Sequence, residues 1–146
     1  MSLDTTLRRH VYDVTLGRGT PPTIAELGRL ADASDADVRD GLRRLAAARV
    51  LVVQPGSGEI LMAPPFSAVP TPFLVRTSLH HSYANCAWDA LGVPVMIGEA
   101  AQISSACGCC GESIMLDVAP ATPPVGCGTV HFGVPARRWW EDLVFT

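Results

Sequence analysis

The residues of this chain that could do chemistry are five cysteines and one aspartate. Cys107, Cys109 and Cys110 fall within four residues of a glycine-rich stretch, Cys127 follows later, and Cys86 precedes Asp89 by three positions. Thiolates are soft ligands, which prefer Hg, Cu(I), Zn or Cd to hard cations. The number of cysteines is odd, so reduced thiols with metal or redox chemistry are favoured over a disulfide framework.

Cys86 and Asp89 lie in an apolar segment, residues 83–91, which is predicted to form a helix of about two turns. Gly-Val-Pro at positions 92–94 is predicted to stop it. On a helix, positions i and i+3 share one face, so the thiol and the carboxyl would be neighbours. The carboxylate would raise the pKa of the thiol, and apolar surroundings would raise the pKa of the carboxyl. The alternative is a small buried cysteine beside a surface aspartate.

The thiols of the second half admit more than one interpretation. The density of Cys107, Cys109 and Cys110 favours a soft-metal site, although a cluster of small turn residues is the alternative. Cys127 lies in a second glycine-rich loop, residues 125–128. The four histidines have no ligand spacing and are interpreted as core or solvated residues; they are His10, His80, His81 and His131.

The sequence of the first half of the chain predicts three helices followed by a β-hairpin. Residues 3–16 have a helical apolar repeat, Thr23 and Glu26 form a capping-box pattern, and Ser34 opens a third helix. Two short strands joined by a Pro-Gly-Ser-Gly turn follow within residues 50–62. This order is typical of a winged helix-turn-helix.

DNA binding by this half is not expected. A recognition helix meets bases with its first residues and needs basic groups for phosphates. Here the third helix begins with Asp35, Asp37 and Asp40, while Arg43 and Arg44 come late. We therefore expect a winged-helix-like module that serves packing, and a metal-responsive winged-helix regulator remains an alternative.

The second half is predicted to be a thiol-bearing α+β domain. Residues 63–72 contain four prolines and form a stiff segment, expected to pack through Phe66 and Val69. Further strands are predicted at residues 73–76, 101–106, 112–118 and 128–134, and an amphipathic helix running into a strand at 139–146. The predicted fold is α+β, with a winged-helix-like module (1–63) packed on a small mixed or antiparallel sheet domain with short helices (64–146).

Composition excludes several classes of protein. Of 146 residues, 48% are hydrophobic and the mean hydropathy is +0.25, which excludes intrinsic disorder. The net charge of −3 provides no basic field for nucleic acid or an anionic membrane. The longest uncharged run, residues 118–136, is interrupted by prolines and cannot form a membrane-spanning helix. Residues 1–9 contain Asp4 and lack an apolar run, so we expect no secretory signal and a cytoplasmic protein.

Three segments together resemble the organomercurial (alkylmercury) lyase family. They are residues 65–72 (PFSAVPTP), 83–98 (YANCAWDALGVPVMIG) and 103–107 (ISSAC). The order and spacing hold from position 65 to 107 and more loosely to 135. The winged-helix-like module also belongs to the plan of that family, so the resemblance spans nearly the whole chain.

The resemblance implies cleavage of a carbon–mercury bond by protonolysis, giving a hydrocarbon and Hg(II). It implies that Cys86 is the first thiolate on mercury and that Asp89 manages the proton that reaches carbon. Trp88, Val93 and Val95 are expected to desolvate the site. No organic cofactor is implied. The substrate is an organomercurial, and cellular thiols or a mercuric reductase would accept the Hg(II).

The family also needs a second catalytic cysteine. One register, based on CGTVHF, matches it to Cys127. Another matches residues 129–135 to the preceding strand and places the second cysteine at or beyond Thr146, in which case the chain would be truncated. Cys127 and the Cys109–Cys110 pair remain candidates within the chain.

Cys107 is expected to have a structural role near the site, and all five cysteines are candidate mercury ligands. Without the second thiolate, the chain would be a thiol-rich heavy-metal (Hg or Cd) binding protein that lacks lyase activity.

Overall fold

A computed structural model describes residues 2–125 and 129–142 of the chain. Within these residues the fold is α+β, with four α-helices and one eight-stranded sheet. In chain order the elements are α1 (Leu3–Arg18), α2 (Ile24–Ala31), α3 (Asp35–Ala47), β1 (Val52–Val53), β2 (Ile60–Ala63), β3 (Phe66–Ser67), β4 (Leu74–Arg76), β5 (His81–Ala84), α4 (Ala87–Ile97), β6 (Ala101–Ala106), β7 (Ser113–Ala119) and β8 (Thr122–Val125). None of the helices described is long and apolar enough to cross a membrane.

The first three helices each begin directly after a capping residue, and the sequence predicts two of these caps, Thr23 and Ser34. Ser2 caps α1, and Ser34 accepts a hydrogen bond from Asp37 N at the start of α3. At α2, Thr23 Oγ1 accepts from Glu26 N at 3.2 Å while Glu26 Oε2 accepts from Thr23 N at 2.8 Å. These two hydrogen bonds satisfy N–H groups at the helix N-terminus that have no partner within the helix. The three helices and the β1–β2 hairpin predicted from the sequence are therefore confirmed.

The strands form one antiparallel sheet in the order β1-β2-β3-β5-β4-β6-β7-β8. It is larger than the small sheet expected, because the hairpin of the first half is continuous with the strands of the second. The join is a tight turn at Pro64-Pro65, which contains a cis peptide bond and pairs Ala63 with Phe66.

The proline-rich segment is therefore not simply an extended connection, because part of it forms β3. Phe66 is fully buried, as expected, whereas Val69 is 38% exposed and does not pack as predicted.

Two clusters of buried side chains form the core. The first lies among α1, α2, α3 and the β1–β2 hairpin and contains Leu7, Val11, Ile24, Leu27, Val38, Leu42, Leu45, Leu51, Ile60 and Ala63. The second lies between α4 and the middle of the sheet and contains Phe66, Val75, Ala84, Ala90, Val93, Ala101, Ile103 and Val118. Leu16, near the end of α1, packs against the second cluster, so α1 contacts both.

The C-terminus of α1 is attached directly to the β4–β5 connection. Gly19 caps the helix at φ +84°, and a side chain there would collide with the carbonyl oxygen of His81. His80 Nε2 lies 2.8 Å from Leu16 O. The close backbone approach requires glycine at this position, and it holds the helical half against the sheet.

Helix α4 differs from the prediction at both ends. It begins at Ala87 because Tyr83 and Ala84 belong to β5, and it continues through Pro94 to Ile97. The predicted Gly-Val-Pro stop is wrong, because Val93 and Pro94 are buried against the sheet and this burial outweighs the missing hydrogen bond of proline. The helix ends at Gly98, at φ +73°.

The predictions for the last third of the chain are only partly confirmed. Strands β6 and β7 form as expected, but β8 was not predicted, since its prolines suit an edge strand only. Residues 129–134 are not a strand, and residues 136–142 contain a 3-10 turn instead of the predicted helix. Aromatic contacts with α4, described below, replace the expected ladder. The remaining parts of these predictions, residues 128 and 143–146, lie outside the described residues.

Candidate active site

Cys86 and Asp89 meet at the N-terminus of α4. Cys86 is the residue that caps the helix, with extended backbone (φ −151°, ψ 179°), rather than a residue inside it. Its Sγ accepts a hydrogen bond from the backbone N–H of Asp89 at 3.4 Å, and its carbonyl accepts from Ala90 N at 2.9 Å. The predicted proximity of thiol and carboxyl therefore holds, although a capping interaction produces it.

The carboxyl group of Asp89 is half-buried. Burial raises its pKa, while hydrogen bonds from the side chains of Asn85 and Cys86 act in the opposite direction. Asn85 Nδ2 donates to Asp89 Oδ2 at 2.9 Å. Asp89 is therefore a carboxyl that holds a proton more tightly than an exposed aspartic acid does, with one oxygen fixed by an amide.

Burial also raises the pKa of the Cys86 thiol. The N–H groups of the helix N-terminus act against this increase, and the negative charge of Asp89 adds to it. Both shifts have the direction expected from the sequence. The thiol and the carboxyl thus form a pair in which loss of one proton is favoured when a cation binds to sulfur.

Two residues that the sequence did not single out, Asn85 and Tyr12, connect the surroundings of this pair to the proline turn. The backbone N–H of Asn85 donates to Pro65 O at 3.3 Å, and Tyr12 Oη donates to Pro64 O at 3.1 Å. Burial raises the pKa of Tyr12, and the negative charge of Asp89 adds to the shift. Helix α1 therefore contributes to the surroundings of the carboxyl through the proline turn.

Asn85 also has an unusual side-chain environment. Its Oδ1 is buried and finds no hydrogen-bond partner among the described residues. Asn85 could have been suspected from its position directly before Cys86, whereas Tyr12 lies too far away in sequence for any local pattern to indicate it.

An aromatic cluster begins at Trp88, which lies between Cys86 and Asp89 in the sequence and is 60% exposed. The rings of Trp88 and Phe132 are in edge contact at 6.5 Å between centroids, and Phe132 lies 5.0 Å from Trp139. Trp88, Phe132 and Trp139 line an open apolar groove of about 630 Å³ together with residues 133–136. Val93 is buried as expected, but Val95 is 63% exposed and does not shield the site.

Cys107 lies apart from α4 in the sequence but follows a strand that ends at the same edge of the sheet as the strand before Cys86. Tyr83 of β5 and Ser104 of β6 both pair with Leu74 of β4, and both strands run antiparallel to β4. Strands β5 and β6 therefore end at one edge, where Cys86 follows the first and Cys107 the second.

Cys109 and Cys110 lie exposed in the β6–β7 turn. In the part of the chain that the structure describes, no three His, Cys, Asp or Glu side chains converge as a metal site. Cys127, the candidate second thiolate, lies outside the described residues.

The described fold is an α+β protein with a thiol and a half-buried carboxyl at one helix N-terminus. The sequence model of the family described as MerB, alkylmercury lyase, matches residues 66–146, which is more than half of the chain. The chain therefore belongs to the alkylmercury lyase family.

A solved structure is similar in fold. The crystal structure of the mercury-bound form of MerB2 matches with a TM-score of 0.59 and 22% sequence identity. The match covers 80% of this chain and 55% of that one, so this chain spans about half the length of the solved relative. No curated protein sequence matches this chain.

Proposed function

We propose that this protein is an organomercurial lyase, which cleaves carbon–mercury bonds by protonolysis. The observation that carries the proposal is the Cys86–Asp89 pair at the start of α4, with the thiol sulfur 3.4 Å from the backbone nitrogen of the residue that bears the carboxyl. Membership of the alkylmercury lyase family and the fold shared with mercury-bound MerB2 support it.

In the first step, the Cys86 sulfur binds the organomercury cation RHg⁺. A S–Hg bond forms, and the thiol proton leaves to the Asp89 carboxylate. A soft thiolate suits mercury, and the N–H groups at the start of α4 stabilise the negative charge that sulfur carries while the proton departs. The apolar groove beside Trp88 provides a surface for the organic group R.

In the second step, a second thiolate binds the mercury and weakens the carbon–mercury bond. We assign this role to Cys127, which the family match includes. Cys127 precedes Phe132 by five residues, and Phe132 contacts Trp88, so the chain can span at most about 18 Å between them. This connection keeps Cys127 within reach of the site, and the Cys109–Cys110 pair is the alternative source of the second thiolate.

Asp89 then delivers the proton. The electron pair of the C–Hg bond takes the proton from the carboxyl, the hydrocarbon RH leaves, and Hg(II) stays on the two sulfurs. The balance is RHg⁺ plus two thiols giving RH, a Hg(II) dithiolate and one proton. Burial of Asp89 keeps the proton available, and the amide of Asn85 fixes the carboxyl for transfer.

Release of Hg(II) requires external acceptors, for which we propose cellular thiols or a mercuric reductase. The described cysteines carry free thiols, as the reaction requires and as a reducing compartment maintains. The proposal therefore includes a cytoplasmic location and mercury resistance as its biological context. It invokes no organic cofactor, because thiols and a carboxyl supply every group the reaction uses.

We further propose that residues 1–63 form a winged-helix-like module and residues 64–146 the catalytic unit. The division between the two core clusters, which falls between Ala63 and Phe66, supports these boundaries. We assign the first module a packing role rather than DNA binding, because α3 begins with exposed acidic residues and Tyr12 of α1 supports the proline turn.

The test is hydrocarbon release from phenylmercury by the purified chain in the presence of excess small thiol. We expect benzene from the wild-type chain and none from Cys86→Ser. Asp89→Ala should retain mercury binding but lose turnover, and Cys127→Ser should do the same if it supplies the second thiolate. Tight binding of mercury without benzene from the wild-type chain would instead favour a heavy-metal binding protein.

A further inference from the structure

The turn between β6 and β7 brings two cysteines together outside the candidate active site. Cys107 N donates to Glu112 O at 2.8 Å, and Gly111 N donates to Cys107 O at 2.8 Å. The second bond closes a single helical turn over residues 107–111, which Gly111 leaves at φ +74°. Cys107 and Cys110 thus occupy positions i and i+3 of one turn, where side chains are neighbours.

The Cys107 sulfur has hydrogen-bond donors of its own turn close to it. The backbone N–H of Cys110, that of Cys109 and the thiol of Cys110 face it, and together they lower its pKa. A sulfur that accepts several N–H groups is stabilised as the thiolate, the form that binds metal. Cys109, between the two, is exposed, and no hydrogen bond of its thiol is described.

We propose that Cys107 and Cys110 form a binding site for a single soft metal ion, Hg(II), held by two sulfurs. The site is separate from Cys86 and does not rest on the proposed lyase function. Binding forms two Hg–S bonds and releases the two thiol protons, which leaves a neutral complex.

The presence of two sulfur ligands in this turn favours Hg(II) over zinc or cadmium. A structural zinc site uses four ligands, whereas Hg(II) is satisfied by two thiolates on opposite sides. In the described residues no third Cys, His, Asp or Glu converges on this turn to complete a zinc or cadmium site. The exposed position of the turn makes the pair accessible to the ion from solvent.

The experiment uses the full chain with Cys86→Ser and Cys127→Ser, so that only the three cysteines of the turn remain. The protein receives one equivalent of Hg(II) in excess monothiol and is desalted. Bound mercury is measured by mass spectrometry and by the ultraviolet Hg–S absorption. We expect one Hg(II) per chain.

Three additional serine substitutions in that background identify the ligands. Cys107→Ser and Cys110→Ser should each weaken Hg(II) binding by at least about tenfold, because the remaining sulfur loses its chelating partner. Cys109→Ser is the matched control and should leave binding unchanged. Circular dichroism of each variant establishes that the loss is not unfolding, which is not expected for substitutions in an exposed turn.

Three results would overturn the proposal. The first is no retained Hg(II) in the background chain, and the second is an equal loss with Cys109→Ser. The third is one metal ion per two chains, which would mean that ligands come from two copies. Benzene release is measured separately on the wild-type chain, so failure of the lyase proposal leaves this result interpretable.

Discussion

Asn85 donates its side-chain N–H to Oδ2 of Asp89 across 2.9 Å, while its own backbone N–H donates to Pro65 O. The same residue therefore contacts the carboxyl of α4 and the proline turn that joins the two halves of the sheet. A single residue, through its side-chain amide and its backbone N–H, connects the position of the proposed proton donor to the junction between the core clusters.

Replacing Asn85 with alanine should slow benzene release by about tenfold, the effect of losing one hydrogen bond to a charged group. The amide stabilises the charged carboxylate, so its loss raises the pKa of Asp89. The part of the pH–rate profile that reports Asp89 should then move to higher pH. The measurement is kcat and KM for phenylmercury between pH 5 and pH 9, a window of about two units on each side of neutrality.

A purely structural role for Asn85 predicts something else. If the variant only unfolds a fraction of the protein molecules, the concentration of active protein falls. The pH–rate profile of the molecules that stay folded is then unchanged. Asn85→Ser, which keeps a hydrogen-bond donor near Asp89, should recover part of the lost rate. An unshifted profile with Asn85→Ala would remove Asn85 from the site.

Cys86→Ser should separate activity from stability. Serine is a favoured N-cap residue, so its hydroxyl can accept the N–H of Asp89 that the sulfur now accepts. Urea unfolding should therefore show equal or slightly higher stability, while benzene release is abolished because oxygen does not bind RHg⁺ as sulfur does.

Cys86→Ala is the matched control for the cap. Alanine leaves the N–H of Asp89 without a partner at the helix start, which should cost about 1 kcal/mol in the free energy of unfolding. Equal stability of the serine and alanine variants would show that the sulfur contributes nothing as a cap.

Local patterns predicted the elements whose formation depends on neighbouring residues. Helices α2 and α3 begin directly after the predicted caps Thr23 and Ser34, and α1 begins at Leu3 with its predicted apolar repeat, because such patterns are complete within a few residues. Cys86 and Asp89 were also found in this way. Residues three positions apart are neighbours within a helix, as predicted, and also at a helix N-terminus, where the structure has them.

Elements that depend on distant partners were missed. Strands β3 and β5 were not predicted, and both exist because the sheet continues from β2 to β4. For the same reason Pro94 lies inside a helix: its burial against the sheet cannot be read from adjacent residues. Tyr12 contacts Pro64, 52 positions away, which no local pattern contains.

Asp89→Asn should stabilise the protein at neutral pH. Burial raises the pKa of Asp89 above its ordinary value of 3.8, so the folded state favours the protonated form. The contribution of this group to stability is complete below pH 3.8 and is lost as pH rises through the folded-state pKa. An uncharged asparagine avoids that loss.

The measurement is the free energy of unfolding in urea for the wild-type protein and the Asp89→Asn variant. It is made at about pH 7.5 and at about pH 4, which is close to the pKa of an unperturbed aspartic acid. The advantage of the variant should be largest at pH 7.5 and shrink in acid. Glu26, whose pKa is lowered to about 2 by Arg18, is common to both chains and cancels. Asp13→Asn, at an exposed position of α1, is the control; an advantage of Asp89→Asn that does not depend on pH would contradict the burial of its charge.

Phe132→Ala should release residues 129–142 from α4. Phe132 contacts both Trp88 and Trp139, and each aromatic pair contributes about 0.5–1.5 kcal/mol beyond the area it buries. Arg137 and Arg138 lie exposed in the 3-10 turn of this segment, and their backbone becomes free to enter the active site of trypsin once the segment detaches. We expect faster tryptic cleavage after these arginines, together with slower benzene release, because the segment connects Cys127 to the site.

Phe132→Leu keeps an apolar contact and should give smaller changes in both measurements. Faster cleavage with unchanged benzene release would mean that the segment, and with it the position of Cys127, does not contribute to the reaction.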